Sequence, residues 1–254
     1  MVKNLRERFH AGGVHLLASA AVASLVAVLV FGLWYPDDYR YMAGGSELLV
    51  LIMSVDVVLG PLLTFAVFNR QKGWAHLRRD IVTIAVLQLS ALAYGIYTVS
   101  MARPVALVFE FDRFRVITSA EVVTSELSEA LPEFRHLSLL GPITLALRRP
   151  ESGDERSNAL ATAIFDGVDT SQRPKFWIPY GASERVLAVE AGRPLEQLIQ
   201  QYPDAGLDTE KLLKKQNLDP RAMKFLPVRA KNDAVAVVQA DGRIVGFLPY
   251  DGYF

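Results

Sequence analysis

The sequence predicts a membrane protein with three N-terminal transmembrane α-helices, followed by an α+β extracytoplasmic domain with a small, largely antiparallel sheet. Apolar residues make up 51% of the 254 positions, and they are concentrated in the first hundred. No Asp, Glu, Lys or Arg occurs at 9–36 or 81–102, and Asp56 is the only such residue at 48–69. The rest of the chain alternates short apolar runs with turn-forming residues, as expected of a mixed globular domain.

Each of the three apolar runs is long enough to cross a bilayer, because about 20 apolar residues span a hydrocarbon core of roughly 30 Å. The predicted helices cover about 12–34, 48–68 and 81–101, within a transmembrane domain of residues 1–104. Buried helices of a soluble protein are the alternative, but three such runs would leave that protein too little polar surface. The first run also exceeds the roughly 7–15 apolar residues of a signal peptide, so an uncleaved anchor is predicted.

The distribution of Lys and Arg predicts the orientation, because these residues stay on the cytoplasmic side when they lie in short loops. Three of them lie in the N-terminal tail and four in the loop at 69–80, whereas the loop at 36–47 holds only Arg40. This bias predicts a cytoplasmic N terminus in an inner membrane and, after three crossings, a periplasmic domain at 105–254. The aromatic residues near Arg40 would then lie in the outer interfacial belt. They are Trp34, Tyr35, Tyr39 and Tyr41.

Asp56 is expected to face protein, because an acidic side chain at the centre of a transmembrane helix costs about 2.5–3.5 kcal/mol on insertion scales. Gly60 and Thr64 follow at i+4 and i+8, so they share its face of the helix. The pair Gly60-Pro61 removes one backbone hydrogen bond and predicts a kink at this level.

The depth of other polar residues limits which of them can contact Asp56. At about 1.5 Å per residue, Ser24 and Tyr94 lie at its level, and Gln88 lies about two turns deeper. His15 is too far along the membrane normal for a His15–Asp56 pair between straight helices. Asp56 is therefore predicted either as a protonated structural carboxyl bonded to Ser24 or Tyr94, or as a contact for the membrane helix of a partner. The candidate polar or partner contacts are Asp56, Gly60, Pro61, Ser24, Gln88 and Tyr94.

The domain at 105–254 is predicted to mix short strands and helices. Strands are expected where short apolar runs lie between turn residues: Val105–Phe111, Phe114–Thr118, Leu137–Leu147 with a bend, Arg185–Glu190, Phe225–Arg229, Ala234–Gln239 and Ile244–Leu248. Asp241-Gly242 between the last two is a hairpin signal. Helices are expected behind capping residues or proline: Ala120–Ala130 after Ser119, Ala159–Phe165, Pro194–Tyr202, and Thr209–Lys215 after Asp208. Loops are expected at Ser152–Asn158 and at Ser171–Pro179, the latter with Phe176 and Trp177 buried.

The residue content argues against several classes of function. The chain has 27 basic and 27 acidic residues and a pI near 6.9, which does not favour nucleic-acid binding. It has no cysteine, and its four histidines do not cluster as zinc ligands would. Phosphate-binding, dinucleotide-binding and nucleophile-elbow motifs do not occur. We therefore predict a binding function, with no enzymatic activity, no cofactor and no metal.

Several stretches are similar to a known family. They are VDVVLGPLLT, LQLSALAYG and the exit ARPV, within about 9–117, together with the more generic ADGRIVGFLP near the C terminus. In these stretches the chain resembles the type IV pilin accessory proteins (the TfpX/TfpZ family), whereas roughly 120–230 does not match. The resemblance implies an inner-membrane protein of a Gram-negative bacterium that binds type IV pilin and assists pilus assembly. The lipid bilayer and other inner-membrane assembly proteins are the further partners implied, and no catalytic residue is carried over.

The residues alone also fit a membrane-anchored periplasmic subunit of a secretion or signalling complex. Co-purification separates the two, because a pilin favours the first hypothesis and secretion or sensor components favour the second. A membrane enzyme, the third class, would need turnover that persists without partners.

Overall fold

The computed structural model describes residues 2–68, 73–214 and 216–254, with the side chains of 2–4 left aside. The chain forms two compact units. The helical unit consists of the described residues before Trp34 together with Gly45–Met101. The sheet unit consists of Trp34–Gly44 and Ala102–Phe254, so it takes in the loop that follows the first helix.

Three helices are long and apolar enough to cross a membrane, as predicted: Leu5–Trp34, Gly45–Val67 and Trp74–Ala102. The first is built from α1 (Val2–Leu29) and a π-helical end, Val30–Trp34. After the short α2 (Tyr39–Met42), the second is built from α3 (Gly45–Ser54), a π turn (Val55–Leu59) and α4 (Gly60–Val67). The third is α5 (Trp74–Ala102).

The first and third helices begin earlier than their apolar runs do. The first six described residues of α5 include Arg78 and Arg79, and α1 likewise starts before Arg6. Arg, Ala and Leu are good helix formers, so backbone hydrogen bonding continues beyond the apolar run. Part of the predicted basic loop is therefore helical from Trp74 onward, while its residues 69–72 lie outside the described part of the chain.

A kink is predicted at Gly60-Pro61, and the structure has a π turn, Val55–Leu59, directly before Gly60. Pro61 lacks the N–H that would bond back into this turn. A wider π turn accommodates the missing bond within a continuous helix, and such turns often occur at functional sites.

An eight-stranded sheet forms the centre of the sheet unit, with the order β4-β3-β1-β2-β6-β7-β8 and β5 paired to β6. The strands are β1 (Pro104–Phe109), β2 (Phe114–Thr118), β3 (Ile143–Leu147), β4 (Trp177–Pro179), β5 (Arg193–Pro194), β6 (Lys224–Arg229), β7 (Ala234–Val238) and β8 (Ile244–Leu248). The pairs β1–β3 and β2–β6 are parallel and the other five are antiparallel. The mostly antiparallel α+β fold is thus confirmed, with more strands than a small sheet implies.

Every residue of β1 and β7 is buried, because the sheet is covered on both faces. One core gathers around β1 and includes Phe176 and Trp177, whose burial was predicted. A second core gathers around β6 and β7. The predicted closing hairpin is present between β7 and β8, with Gly242 at φ 75° in its turn.

The helix predicted at Ala120–Ala130 is wrong. The Glu121 carboxylate accepts hydrogen bonds from the Thr118 amide and hydroxyl, both at 2.8 Å, so the chain turns sharply there. The Ser119 amide donates to the Arg103 carbonyl, which holds this turn against the residue directly before β1. A 3₁₀ helix, Thr124–Glu129, is all the helix that forms in this stretch.

The loop predicted at Ser152–Asn158 is also wrong, because Ser152 is itself a helix cap. Its hydroxyl accepts a hydrogen bond from the Glu155 amide at 3.0 Å and begins α6 (Gly153–Ala161). A π turn, Thr162–Asp166, extends α6 to Gly167, whose φ of 68° ends it. The bent strand predicted at Leu137–Leu147 is reduced to β3.

The strand predicted at Arg185–Glu190 is wrong, since these residues lie in α7 (Ala182–Ala191). The Glu184 carboxylate accepts a hydrogen bond from the Gly181 amide at 3.0 Å and starts this helix. The helix predicted at Pro194–Tyr202 is confirmed as α8 (Leu195–Gln201).

The last predicted helix exists but starts earlier, as α9 (Ala205–Lys214). Asp208 is therefore inside its first turn instead of capping it. The Asp208 carboxylate binds the Lys211 ammonium and the Tyr250 hydroxyl, each at 2.9 Å. These two bonds hold the pKa of Asp208 below its usual range.

The loop between the first two long helices is an integral part of the sheet unit. Met42 is fully buried, and its carbonyl accepts a hydrogen bond from the Asn232 amide at 3.1 Å. The Tyr39 ring contacts Phe247 with 5.7 Å between centroids, and Tyr35 is fully buried. The prediction that Tyr35 belongs to an exposed interfacial belt is therefore wrong, because tertiary packing removes this ring from any lipid.

Candidate intramembrane binding site

Asp56 lies in the π turn of the second long helix and is only 8% exposed. Among the residues that the structure describes, neither of its carboxyl oxygens has a hydrogen-bond partner. An acceptor left unpaired in apolar surroundings costs from about 1 kcal/mol to several kcal/mol. An unpaired buried carboxyl between membrane helices is a candidate functional group for that reason.

The side chain of Gln88 in α5 contacts the backbone of Asp56. The Gln88 Nε2 atom donates to the Asp56 carbonyl oxygen at 3.3 Å. A Cβ atom added to Gly60 would lie 1.9 Å from Gln88 Nε2, so this contact requires glycine at position 60. A Cβ on Gly95 would likewise come within 2.4 Å of Ile52. Small residues thus allow α5 to pack closely on the second long helix.

The first long helix packs on the other side of α4. His15 Nδ1 and Thr64 Oγ1 are 2.6 Å apart, within hydrogen-bonding distance. The Phe9 and Phe65 rings contact each other with 4.9 Å between centroids. Arg8 Nε donates to the Phe68 carbonyl at 2.9 Å, which satisfies one of the free carbonyls at the end of α4.

Two cavities border Asp56. One, of about 220 Å³, is lined by α1, the π turn and α5, including His15, Ser19 and Gln88. The other, of about 270 Å³, is lined by α3, the π turn and α5, including Tyr94. Because an α-helix with its side chains is about 10–12 Å across, each cavity holds side chains and not a whole helix.

The structure separates the residues of the predicted site. It brings Asp56, Gly60, Pro61 and Gln88 together, with Gln88 nearer than its predicted depth. The hydrogen bond predicted between Asp56 and Ser24 or Tyr94 is not present in the structure. The Ser24 hydroxyl donates to the Ala20 carbonyl of its own helix at 2.8 Å. Tyr94 lines the second cavity but is 73% exposed.

Depth alone could not identify these neighbours, because each residue also turns by about 100° around its helix axis. As predicted, His15 does not bond to Asp56. It is within hydrogen-bonding distance of Thr64 and lines the first cavity together with Asp56. The available signal was Thr64, which shares the helix face of Asp56 and contacts His15.

The sheet unit has its own polar cluster around the buried side chain of Arg115. It pairs with Asp169, with Glu121 at 3.4 Å and with Glu110 at 3.9 Å. Nearby, Glu126 binds Arg173 at 2.7 Å and Lys175 at 3.0 Å. Burial raises the pKa of Glu126, but the hydrogen bonds from both cations outweigh it and hold that pKa below the usual range. These pairs connect loops to the sheet, as expected of a structural network.

Within the described ranges, no three His, Cys, Asp or Glu side chains come together as metal ligands would. Fold and site together define a membrane-associated protein with three apolar helices and an α+β domain, in which the cavities around Asp56 are the distinctive feature.

Known proteins identify the family. Over 217 residues the chain is 39% identical to the fimbrial assembly protein of serogroup I from Dichelobacter nodosus, with 85% of this chain and 84% of that protein covered. It is 38% identical, with the same coverage, to the protein of serogroup E1 from that organism. It is 43% identical over 118 residues to the protein of serogroups C1 and C2, covering 46% of this chain and 90% of that protein. The family model of the fimbrial assembly protein FimB matches residues 3–44.

The chain therefore belongs to the family of fimbrial assembly proteins. This confirms the predicted relation to type IV pilus assembly and supports a role in that process. No solved structure matches the chain.

Proposed function

We propose that this protein is a non-enzymatic accessory protein of the inner membrane that binds type IV pilin and assists its assembly into the pilus. The observation that carries the proposal is the family membership, which extends over 85% of the chain. A protein that assists assembly has to contact the subunit being assembled, and a membrane-inserted subunit is within reach of the three apolar helices.

The cavities around Asp56 support binding within the membrane. A polar group that is expensive to bury and has no partner among the described residues is typical of a contact completed by another molecule. Asp56, Gly60, Pro61 and Gln88 are the residues we assign to this contact. Ser24 and Tyr94 remain proposed contacts for a partner approaching from the lipid side.

The proposed orientation has the N terminus in the cytoplasm and the sheet unit in the periplasm. The sheet unit is assembled from Trp34–Gly44 and Ala102–Phe254. Two segments of one compact unit lie on the same side of a membrane. This agrees with one crossing before the first segment and three crossings before the second. The Lys and Arg bias then selects the periplasm as that side. We accordingly assign residues 1–104 to the transmembrane domain, with its loop Trp34–Gly44 on the periplasmic side, and residues 105–254 to the periplasm. Other inner-membrane assembly proteins are proposed as further partners.

Deletion of the gene in its own host tests the proposal. Surface pili should decrease while the cellular amount of pilin stays normal, and the wild-type gene should restore them. A photo-crosslinking amino acid at Ala23, which lines the first cavity, should capture pilin. The same group at Leu25, which is 71% exposed, is the matched control and should capture less. Normal piliation without any captured pilin would refute the proposal, and capture of secretion or sensor components instead would favour the alternative class.

A further inference from the structure

The first cavity opens a groove between α1 and α5. We call it the α1–α5 groove and define it by Ala18, Ser19, Ala23, Asp56, Ala85 and Gln88. Its α1 residues recur at spacings of one, four and five, and its α5 residues at a spacing of three, so each set lies on one helix face. The π turn that carries Asp56 completes the lining.

The groove contains hydrogen-bond acceptors that have no donor within the described part of the chain. Asp56 is more than nine-tenths buried, and its two carboxyl oxygens have no partner among the described residues. The hydrocarbon core offers no bulk water to such a group, so we expect a protein group to be its partner.

Four polar side chains of the helical unit form hydrogen bonds to groups other than the Asp56 carboxyl group. The Gln88 amide donates to the Asp56 backbone and not to its carboxyl group. His15 and Thr64 bond to each other. The Ser54 hydroxyl donates to the Leu51 carbonyl of its own helix at 2.7 Å. The described hydrogen bonds of the helical unit thus leave the Asp56 carboxyl group available to a partner.

The shape of the groove fits the close approach of another helix. Ala18, Ser19 and Ala23 line it on α1 beside His15 and Val22, and Ala85 lines it on α5 beside Leu89 and Leu92. Small residues of this kind let helix backbones approach closely in membranes. The volume of about 220 Å³ accepts a side chain that projects from such a helix.

We propose that the α1–α5 groove binds one apolar membrane helix of a partner and that an uncharged hydrogen-bond donor on this helix bonds to the Asp56 carboxyl group. An uncharged donor fits better than an ammonium group, because a cation at mid-membrane is strongly unfavourable for the free partner before it binds. The proposal rests on the proposed function, in which the partner helix is that of pilin, and it specifies the chemistry of the contact.

Binding of synthetic helices to the full-length protein tests this chemistry directly. The protein is reconstituted in vesicles of phosphatidylethanolamine and phosphatidylglycerol with a fluorescent helix of about 22 leucines and alanines. Three versions of the helix carry Ala, Ser or Lys at the centre, and binding is measured by energy transfer. Interhelical hydrogen bonds in membranes correspond to about threefold to fifteenfold in affinity, so the Ser helix should bind that much more tightly than the Ala helix.

Variants of the groove locate the binding. Asp56→Asn keeps an acceptor and should retain the preference for Ser, whereas Asp56→Leu should abolish it. Ala23→Phe fills the groove and should weaken binding of every helix. Leu25→Phe is the matched control on the exposed face of α1 and should change nothing. The amount of folded protein in the membrane is measured for each variant.

The outcomes separate this inference from the proposed function. Equal binding of the Ser and Ala helices, tighter binding of the Lys helix, or a preference that survives Asp56→Leu overturns the inference, even if cells still show pilin capture. Loss of pilin capture in cells with an intact, Asp56-dependent preference overturns the proposed function and leaves the groove chemistry standing. A Ser preference removed by Asp56→Leu but not by Asp56→Asn supports the inference.

Discussion

The Gln88 side chain reaches the backbone carbonyl of Asp56 across the space left open by glycine at position 60. The hydrogen bond of 3.3 Å connects α5 to the π turn of the second long helix. It therefore fixes the level at which the Asp56 carboxyl group borders both cavities. The close approach also makes this contact sensitive to a single methyl group.

Gly60→Ala should displace the Gln88 amide, because the new Cβ atom would lie 1.9 Å from Nε2. Loss of one interhelical hydrogen bond costs about 0.6 kcal/mol on average, so we expect a modest decrease in the thermal midpoint in detergent. Gly13→Ala is the control, since nothing lies within 4 Å of its Cβ position. Adding Gln88→Ala to Gly60→Ala should cause no further decrease. Additive losses in the double variant would show that the two positions are independent.

Fusions of alkaline phosphatase should report the orientation, because the enzyme is active only outside the cytoplasm. A fusion after Phe254 should be active and a fusion after Lys72 inactive. A reporter that works only in the cytoplasm should give the reverse pattern. Activity after Lys72 but not after Phe254 would contradict the charge bias on which the orientation rests.

Glu155 should make stability depend on pH in the acidic range. Hydrogen bonding to Arg148, at 2.7 Å, is the main cause that lowers the pKa of Glu155 from 4.5 to about 2. The native state therefore holds its proton more weakly than the unfolded chain does, and the stabilisation present above pH 4.5 is lost as pH falls toward about 2.

The matching variant is Glu155→Gln, which should lower the thermal midpoint at neutral pH and have no effect near pH 2. Glu151→Gln is the control, because its carboxylate is 3.9 Å from Arg148 and its side chain is mostly exposed. A difference between wild type and Glu155→Gln that stays constant from neutral pH to pH 2 would argue against the ion pair as its source.

Met42→Ala should weaken the packing of the loop that connects the first two long helices against the rest of the sheet unit. The Met42 side chain is fully buried, and removal of a buried methionine costs about 2–5 kcal/mol. Limited proteolysis should then cut within 34–44 more rapidly. Tyr41→Ala is the control, because that ring is 46% exposed. Equal proteolysis of both variants would contradict the assignment of this loop to the sheet unit.

The sequence by itself determined the three apolar helices, the orientation hypothesis and the strands at both ends of the domain. Spanning length and hairpin turns are local properties, so they can be recognised in consecutive residues. Sequence also marked Asp56 as exceptional, because an acidic residue within an apolar run of spanning length can be recognised from consecutive residues. The family resemblance had the same local character, resting on stretches such as VDVVLGPLLT.

The tertiary structure alone decided which groups surround Asp56 and how the middle of the domain folds. The packing of the helices placed Gln88 and His15 at the first cavity, whereas Ser24 bonds within its own helix and is not part of that lining. Residues 185–190 have an apolar pattern that suits a strand or a helix. In the folded domain they form α7, with Ala188 fully buried. Burial of Tyr35 depends on residues far along the chain, and such contacts are not encoded in any local pattern.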